Sequence, residues 1–347
     1  MDTAPLAELT QPIPKAQGFF MFKRLKVEDY LVATLWIAVA VYGSVISDYS
    51  ASTAAFYILN VPMALGLAML WGIAGVLSFG QVAFFGLAGY TYGIIAGNIV
   101  SNLALASVAG VVGGLAAALV LALVFGYFLF YGRVEAWIVP IVTLVMTLIL
   151  ATFMGQTAGY EWKVGQVLLG GYNGMTNIPP MHVWGVDLFG RPLFYYVLAV
   201  VVVAWLLTVV CLRSSFGDVL VALREDSLRT ELFGHDVRLM QLLCFSVAAI
   251  LAGVSGVLYV QWGNYITPDS MGLLQATLPV VWVAVGGRTS LLGVVISTLA
   301  LNVLSFQLSS SGNQYAFVIL GALLVVAMVV PTFGWSQRVA AVFGRRG

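Results

Sequence analysis

The chain has 347 residues, of which 61% are hydrophobic and only 8% are charged, and its formal net charge is +1. Soluble domains average about 45–50% apolar and about 25% charged residues, so this composition excludes a water-soluble globular protein. The near-neutral charge argues against a nucleic-acid partner. The 2 cysteines, Cys211 and Cys244, both end apolar segments and indicate packing, not a disulfide framework. We therefore expect the lipid bilayer to surround the protein.

Apolar stretches long enough to cross a bilayer recur along most of the chain. They are continuously apolar, whereas the strands of a membrane β-barrel alternate every second residue, so the predicted fold class is all-α, a polytopic transmembrane helical bundle. About ten membrane segments are predicted, at 30–47, 54–79, 81–99, 104–131, 137–154, 193–212, 239–262, 273–287, 291–308 and 315–333. Residues 1–29 lack the apolar core and cleavage site of a signal peptide and are predicted to be a tail, as are residues 334–347. Residues 30–333 then form one transmembrane domain.

The basic residues are distributed unevenly between the two sets of loops that alternate along such a bundle. Cytoplasmic loops of membrane proteins collect Lys and Arg. With the N-terminus inside, only Lys163 and Arg191 of the 15 basic residues fall in outer loops. The inner set consists of Lys15, Lys23, Arg24, Lys26, Arg133, Arg213, Arg224, Arg229, Arg238, Arg288, Arg338, Arg345 and Arg346. This asymmetry predicts that both termini are cytoplasmic, because one missed segment would invert every later loop.

Glycine is abundant, at 37 residues, and is concentrated around residues 72–89 and 286–293. Glycine-interrupted membrane helices in comparable places of two halves indicate a transport path, because broken helices expose backbone groups to a cavity. The alternative for any single glycine is close packing of helices through small residues, and for Ser78 and Gln81 it is ordinary hydrogen bonding between helices. The residues predicted to border a translocation path are Ser78, Gly80, Gln81, Gly286 and Gly287.

Two loops are long enough to bind a partner. In the outer loop, at about 155–192, the Gly, Asn and Pro residues between Gly170 and Pro180 specify turns and a shaped projection; the alternative is a connector packed over the bundle mouth. In the inner loop, at about 213–238, apolar residues recur near helical spacing and predict a short amphipathic helix that ends at Gly234. Its charges are of both signs, which favours docking to a protein over lying on a membrane surface.

The chain shows no pattern typical of a catalytic centre. Its charged residues fit into loops or helix ends, so no proton or sodium relay is visible within the membrane. It contains no G-x-x-x-x-G-K-[ST] phosphate loop, so no ATP hydrolysis by this chain is expected. His182 and His235 have no ligand partners at metal-binding spacing and are predicted to be solvated loop residues. We expect no catalytic residue, no metal and no cofactor, which argues against a membrane-embedded enzyme.

Five stretches along the chain carry recognisable motifs: Leu77–Tyr90, Gly217–Asp226, Leu251–Tyr259, Thr267–Ser270 and Val285–Gly293. They resemble, in the same order, the motifs of LivM-type permeases of branched-chain amino acid ABC importers. The resemblance implies a multi-pass protein of the bacterial inner membrane that works with a second permease subunit, cytoplasmic ATP-binding subunits and a periplasmic substrate-binding protein. It also implies that the inner loop holds the coupling helix that engages the ATPase. The residues assigned to coupling on this basis are Arg224, Glu225, Asp226, Arg229 and Gly234.

The substrate stays open at the level of sequence. Relatives in this family carry branched-chain amino acids, and a close branch carries urea or short amides. Trp282–Arg288 is more similar to the urea branch, whereas Ser290–Gly293 resembles the amino-acid branch. A passive channel is the alternative from a different class, and it has no need of an amphipathic docking helix.

Overall fold

A computed structural model describes residues 27–99, 101–183, 186–310 and 321–322. In this part of the chain, short hairpins and 3₁₀ turns occur only between residues 157 and 189 and at Pro268–Met271. The α-helices are α1 (Val27–Val45), α2 (Asp48–Ile58), α3 (Val61–Leu67), α4 (Gln81–Asn98), α5 (Leu103–Tyr131), α6 (Val139–Gln156), α7 (Gly190–Arg213), α8 (Ser215–Glu225), α9 (Ser227–Leu232), α10 (Val237–Gly263), α11 (Leu273–Gly286) and α12 (Leu291–Ser310). The strands are β1 (Lys163–Val164), β2 (Val167–Leu168), β3 (His182–Val183) and β4 (Val186–Asp187).

Local capping explains where several long helices begin. The first amides of a helix lack partners within it and are stabilised by a polar side chain just before the first turn. The Asn102 side chain accepts a hydrogen bond from the Leu105 amide at the start of α5, at 3.0 Å. The Asp236 carboxylate accepts from the Leu239 amide at the start of α10, at 3.1 Å. These two capping residues therefore mark where α5 and α10 begin. The apolar residues that follow them give no other signal for the start of a helix.

Eight of the ten predicted membrane segments each coincide with one helix in the described residues, and seven described stretches, Asp48–Ile73 among them, are long and apolar enough to cross a membrane. The tenth prediction, 315–333, lies outside the described residues apart from 321–322, as do the 334–347 tail and most of the 1–29 tail. The prediction of one continuous helix at 54–79 was wrong. Residues 48–73 form α2, α3 and a π-helix, Ala68–Ile73, and residues 74–80 are not helical.

The centre of the bundle consists of α4, α5 and α10, which pack against one another with buried faces. Small residues allow their backbones to approach. A Cβ atom at Gly256 would overlap the carbonyl oxygen of Phe85, and one at Gly114 would lie 2.6 Å from that of Ala88. Close packing through small residues, the alternative left open by the sequence, therefore accounts for these two glycines.

Contacts between loops divide the bundle into two ends. At one end Arg213 is paired with Asp29, and the backbone of Gly72 meets that of Arg288. At the other end Arg191 donates to the Ile46 carbonyl at 2.6 Å. A further contact at that end is the bridge between Met175 and Ile266, and Asn98 bonds the β1–β2 hairpin. The loops predicted to lie on the same side of the membrane are thus close together. The orientation of the two ends relative to the cytoplasm stays a prediction from the distribution of charge.

The segment between α6 and α7, residues 157–189, has a definite fold of its own. It contains two hairpins, β1 paired with β2 and β3 with β4, and 3₁₀ turns at Tyr160–Trp162 and Gly171–Asn173. Met175 and Ile178 are buried against the bundle, while Tyr160 and Tyr172 are exposed. The packing of its middle favours a cover over the outer end of the bundle rather than a free projection. Its exposed tyrosines leave a surface open to a partner.

Candidate translocation path and coupling loop

The helix break that precedes α4 begins where a wider helical turn ends. Within Ala68–Ile73 the backbone bonds run to the fifth residue, and the Ala74 amide donates to the Met69 carbonyl at 3.1 Å. Such π-turns are rare and occur frequently at functional sites. Gly75 follows with φ +79°, a conformation that glycine adopts at little cost. The chain then runs without helical bonds to Gly80, which caps α4.

Side chains from α6 satisfy the backbone of this break. The Phe79 amide donates to the Thr143 hydroxyl oxygen at 3.1 Å, and the Thr147 hydroxyl donates to the Phe79 carbonyl at 3.3 Å. Ser78 is buried, and its hydroxyl oxygen accepts from the Gly80 amide at 3.1 Å. Non-helical backbone at membrane depth is stable only where protein or a polar cavity supplies such partners.

Gly80 and Gln81 occupy the end of the break. A Cβ atom on Gly80 would lie 3.2 Å from both Met146 and Thr143, so a methyl group is nearly accommodated and a larger side chain is not. Gln81 is 1% exposed, and neither its amide nitrogen nor its amide oxygen has a hydrogen-bond partner among the described residues. A buried amide with unused donors and acceptors costs about 1–3 kcal/mol unless another polar group reaches it. Its donors and acceptors are therefore available to a polar group that reaches the break.

Gly286 and Gly287 lie where α11 ends and the chain turns into α12. A Cβ atom on Gly286 would lie 2.5 Å from the Gly293 carbonyl oxygen, so the two helices touch through their backbones there. Gly287 has φ +83° and open space around it, and is a turn residue. The structure thus places the pair at a helix end and a close crossing, and their position beside a path stays a prediction.

The glycine clusters at residues 72–89 and 286–293 are in contact through Gly72 and Arg288, which were not among the predicted site residues. The Gly72 backbone is so close to the Arg288 carbonyl that no side chain fits between them. The Arg288 guanidinium lies over the Trp71 ring, 5.5 Å from its centroid, in a cation–π contact. The available signal was the position of Arg288 directly after the Gly286–Gly287 pair, but no sequence pattern names Gly72 as its partner.

The inner loop contains two helices, and the prediction of one amphipathic helix was wrong. Asp226 interrupts the helix with extended backbone, and its carboxylate accepts from the Arg229 amide at 3.0 Å, which begins α9. Aspartate favours this capping role over a helix interior. Gly234 follows the end of α9 with φ +88°, as a terminating glycine does. Glu225 and Arg229 are exposed.

An exposed apolar surface on and just after α9 was missed by the sequence analysis. Leu228, Leu232 and Phe233 are 67%, 80% and 83% exposed, whereas Leu220 and Leu223 on α8 are buried against the bundle. The helical spacing suggested one apolar face, but the break at Asp226 turns the two helices differently. We name Leu228, Leu232 and Phe233 the α9 patch.

The described residues contain no group of three His, Cys, Asp or Glu side chains that could hold a metal ion. His182 is not the solvated loop residue expected, because the β3–β4 hairpin brings it to Asp187. The His182 Nδ1 lies 2.7 Å from an Asp187 carboxylate oxygen. One histidine and one carboxylate make a local hydrogen-bonded pair and offer too few ligands for a metal.

The family model described as branched-chain amino acid transport system, permease component, matches residues 46–328. The chain belongs to this family. Its members are transport subunits, and the break, the paired glycine turns and the inner loop are therefore features of a multi-pass membrane permease. The match includes all helices from α2 to α12.

Individual relatives agree with the family assignment. The chain is 26% identical over 329 residues to the high-affinity branched-chain amino acid transport system permease protein LivM of Escherichia coli, covering 88% of this chain and 74% of LivM. The LivM protein of Salmonella typhimurium gives the same identity and coverage. The fructose import permease protein FrcC of Rhizobium meliloti is 24% identical over 160 residues, 44% of each chain. No solved structure matches the chain.

Proposed function

We propose that this permease is the membrane-spanning subunit of an ATP-driven importer that moves branched-chain, hydrophobic amino acids across the bacterial inner membrane. It works with a second permease subunit, ATP-binding subunits on the cytoplasmic side and a periplasmic substrate-binding protein. The observation that carries the proposal is the two-helix inner loop, because a channel that only equilibrates its solute does not need an exposed docking element. The LivM relatives support the choice of substrate.

The α9 patch is proposed as the contact with the ATP-binding subunit. Leu228, Leu232 and Phe233 are solvent-exposed next to charged Glu225 and Arg229. Exposed apolar side chains surrounded by charges are typical of the centre and rim of a protein interface. α9 is joined to α8 through Asp226, and α8 is packed against the bundle. A movement of the partner bound at the α9 patch is therefore transmitted to the bundle.

The break at residues 74–80 is proposed as the part of the path that opens. Its polar groups are Ser78 and the buried Gln81 amide, which offers both donors and acceptors to a polar backbone such as that of an amino acid. No charged side chain lies in the break itself, which suits a zwitterion whose net charge is zero. Gly286 and Gly287 are proposed to border the path where α11 and α12 meet.

The test is to express the permease with the transport subunits encoded beside its gene and to measure ATP-dependent leucine uptake. Replacing Leu232 and Phe233 with Glu should lower copurification of the ATP-binding subunits and uptake by tenfold or more, the order expected for a lost interface centre. Val186→Glu, at an exposed apolar position on the opposite end, serves as the matched control for copurification of the ATP-binding subunits. Normal copurification and uptake by the double variant would contradict the docking assignment.

Urea or a short amide is the second candidate substrate, favoured by the resemblance of Trp282–Arg288 to that branch of the family. A competition experiment decides between the two candidate substrates. A solute that uses the same path as leucine should lower leucine uptake when it is added in excess. Inhibition of leucine uptake by valine and isoleucine but not by urea supports the first candidate. Inhibition by urea or acetamide alone would reverse the choice.

A further inference from the structure

Arg224 does not point wholly away from the bundle, as a residue used only for docking would. Its Nη1 donates a hydrogen bond to the Gly72 carbonyl at 2.5 Å, across 152 positions of sequence. Its Cγ lies 3.0 Å from where a Cβ atom on Gly75 would be, so the arginine stem rests on the backbone of the break. The side chain is 40% exposed, and its other terminal nitrogen lies 3.7 Å from Glu225. Arg224 therefore joins α8 to the beginning of the break.

The Gly72 carbonyl has a particular need for such a donor. It lies in the last turn of the π-helix, where carbonyls have no following helical amide to bond. A guanidinium group supplies planar donors and a permanent charge, and charge-assisted bonds are shorter and stronger than neutral ones. The missing side chain of Gly75 allows the arginine stem to lie against the backbone there.

The same few residues are held from a second direction. Arg288, in the turn between α11 and α12, lies over Trp71 and touches the Gly72 backbone. The stretch from Trp71 to Gly75 is thus held between α8 and the α11–α12 turn. It leads within a few residues to Ser78 and Gln81. A displacement of α8 is passed to the break through Arg224 while Arg288 provides the opposing hold.

We propose that Arg224 is a positioning residue that links the movement of α8 to the opening of the 74–80 break, acting through the Gly72 carbonyl. This inference rests on the proposed function, because it requires a partner that moves the inner loop. It changes the role of Arg224, which the sequence analysis placed at the ATPase contact. The α9 patch binds the partner, and Arg224 transmits the resulting movement inward.

The experiment compares Arg224→Met, Arg224→Gln and Arg224→Lys in the complete transport complex. Arg224→Met keeps the apolar stem and removes the donor. We expect copurification of the ATP-binding subunits within about twofold of the unmodified protein, since the α9 patch is intact. Uptake should fall roughly tenfold or more, the scale of losing one hydrogen bond to a charged group. ATP hydrolysis should continue, so that more ATP is consumed per leucine transported.

The conservative variants and a matched control separate positioning from general stability. Arg224→Lys retains a charged donor and Arg224→Gln a neutral one, so both should restore part of the uptake, with Lys above Gln. Arg238→Met removes the same charge from the start of α10 and should leave the ratio of ATP hydrolysed to leucine transported unchanged. A purely structural role of Arg224 would lower yield and uptake together without altering that ratio.

Three results would overturn the proposal. Loss of copurification to the level of the Leu232 and Phe233 double variant would make Arg224 a docking residue. Unchanged uptake in Arg224→Met would show that the bond to Gly72 is not needed. Loss of folded protein in both the Met and Gln variants would assign Arg224 a structural role. Failure of the unmodified complex to transport leucine or to bind ATPase subunits would instead reject the proposed function itself.

Discussion

Two of the described stretches outside the α-helices, residues 74–80 at one end and the described part of 157–189 at the other, satisfy their backbone hydrogen bonds in different ways. The first has no hairpin of its own and is held by Thr143, Thr147 and, just before it, Arg224, which come from α6 and α8. The second is held largely by its own hairpins and 3₁₀ turns. Its hydrogen bonds to the rest of the bundle involve the Asn98 side chain, the bridge to Ile266, the Asn264 carbonyl and the Ser107 hydroxyl.

This difference indicates how each stretch responds when helices move. A segment whose bonds come from distant elements changes shape when those elements shift, whereas a locally bonded segment moves as one piece. We therefore interpret the 74–80 break as the element that converts helix movement into opening, and the 157–189 segment as a cover of constant shape.

Gly72→Ala should have the largest effect. Its methyl group overlaps the Arg288 carbonyl oxygen, which is backbone and cannot rotate away. Overpacking of this kind costs about 1–3 kcal/mol or more, so we expect lower thermal stability in detergent and uptake reduced at least tenfold. Gly113→Ala is the matched control, because its methyl group meets only the terminal carbon of the Ile95 side chain. Equal behaviour of the two variants would contradict the close contact between the two glycine clusters.

Thr143→Val should have the next largest effect. It keeps the shape of the side chain and removes the oxygen that accepts from the Phe79 amide. A buried amide left without a partner costs about 1–3 kcal/mol, and we expect uptake to fall several-fold with folding preserved. Thr152→Val lies on the exposed face of the same helix and should behave like the unmodified protein. Uptake of both variants, normalised to protein in the membrane, checks the prediction.

Asn98→Ala should have a smaller effect because the cover largely holds itself. The change removes the bonds that Asn98 makes with the Val164 carbonyl and the Gln166 amide. We expect faster proteolysis within 157–189, stability lower by about 1 kcal/mol, and uptake within twofold. If uptake instead fell as far as in Thr143→Val, the cover would take part in opening and the contrast between the two stretches would be lost.

Asn173→Cys should leave transport unchanged and report on sidedness. Asn173 is exposed in the 3₁₀ turn of the cover. In a background where Cys211 and Cys244 are replaced, a membrane-impermeant thiol reagent should label it from outside the cell. A cysteine in place of Glu225 should be labelled only from the cytoplasmic side. Labelling of Asn173→Cys from the cytoplasm alone would invert the predicted topology and move the cover to the wrong side for a binding protein.

Hydropathy predicted most of the fold because each crossing must be apolar and internally hydrogen-bonded. The end of the helix at Ile73 was not predicted. Its π-turn depends on tertiary packing, which the helix propensities of the local residues do not indicate. Glycine clustering indicated breaks near Gly80 and Gly286. The hydrogen bond from Arg224 to the Gly72 carbonyl could not be predicted, because it joins residues that are far apart in sequence. The division of the inner loop at Asp226 was predictable from its capping preference and was overlooked. The position of the α9 patch depends on that division.

We infer that this permease moves a hydrophobic amino acid past the 74–80 break with energy from partner subunits. The most direct measurement is leucine accumulation in proteoliposomes that hold the complete complex, with the binding protein outside and ATP inside. We predict accumulation above the external concentration that requires ATP and is lost in Gly80→Leu, whose side chain does not fit beside Thr143 and Met146. Equilibration of leucine without ATP, or undiminished accumulation by a folded Gly80→Leu variant, would contradict it.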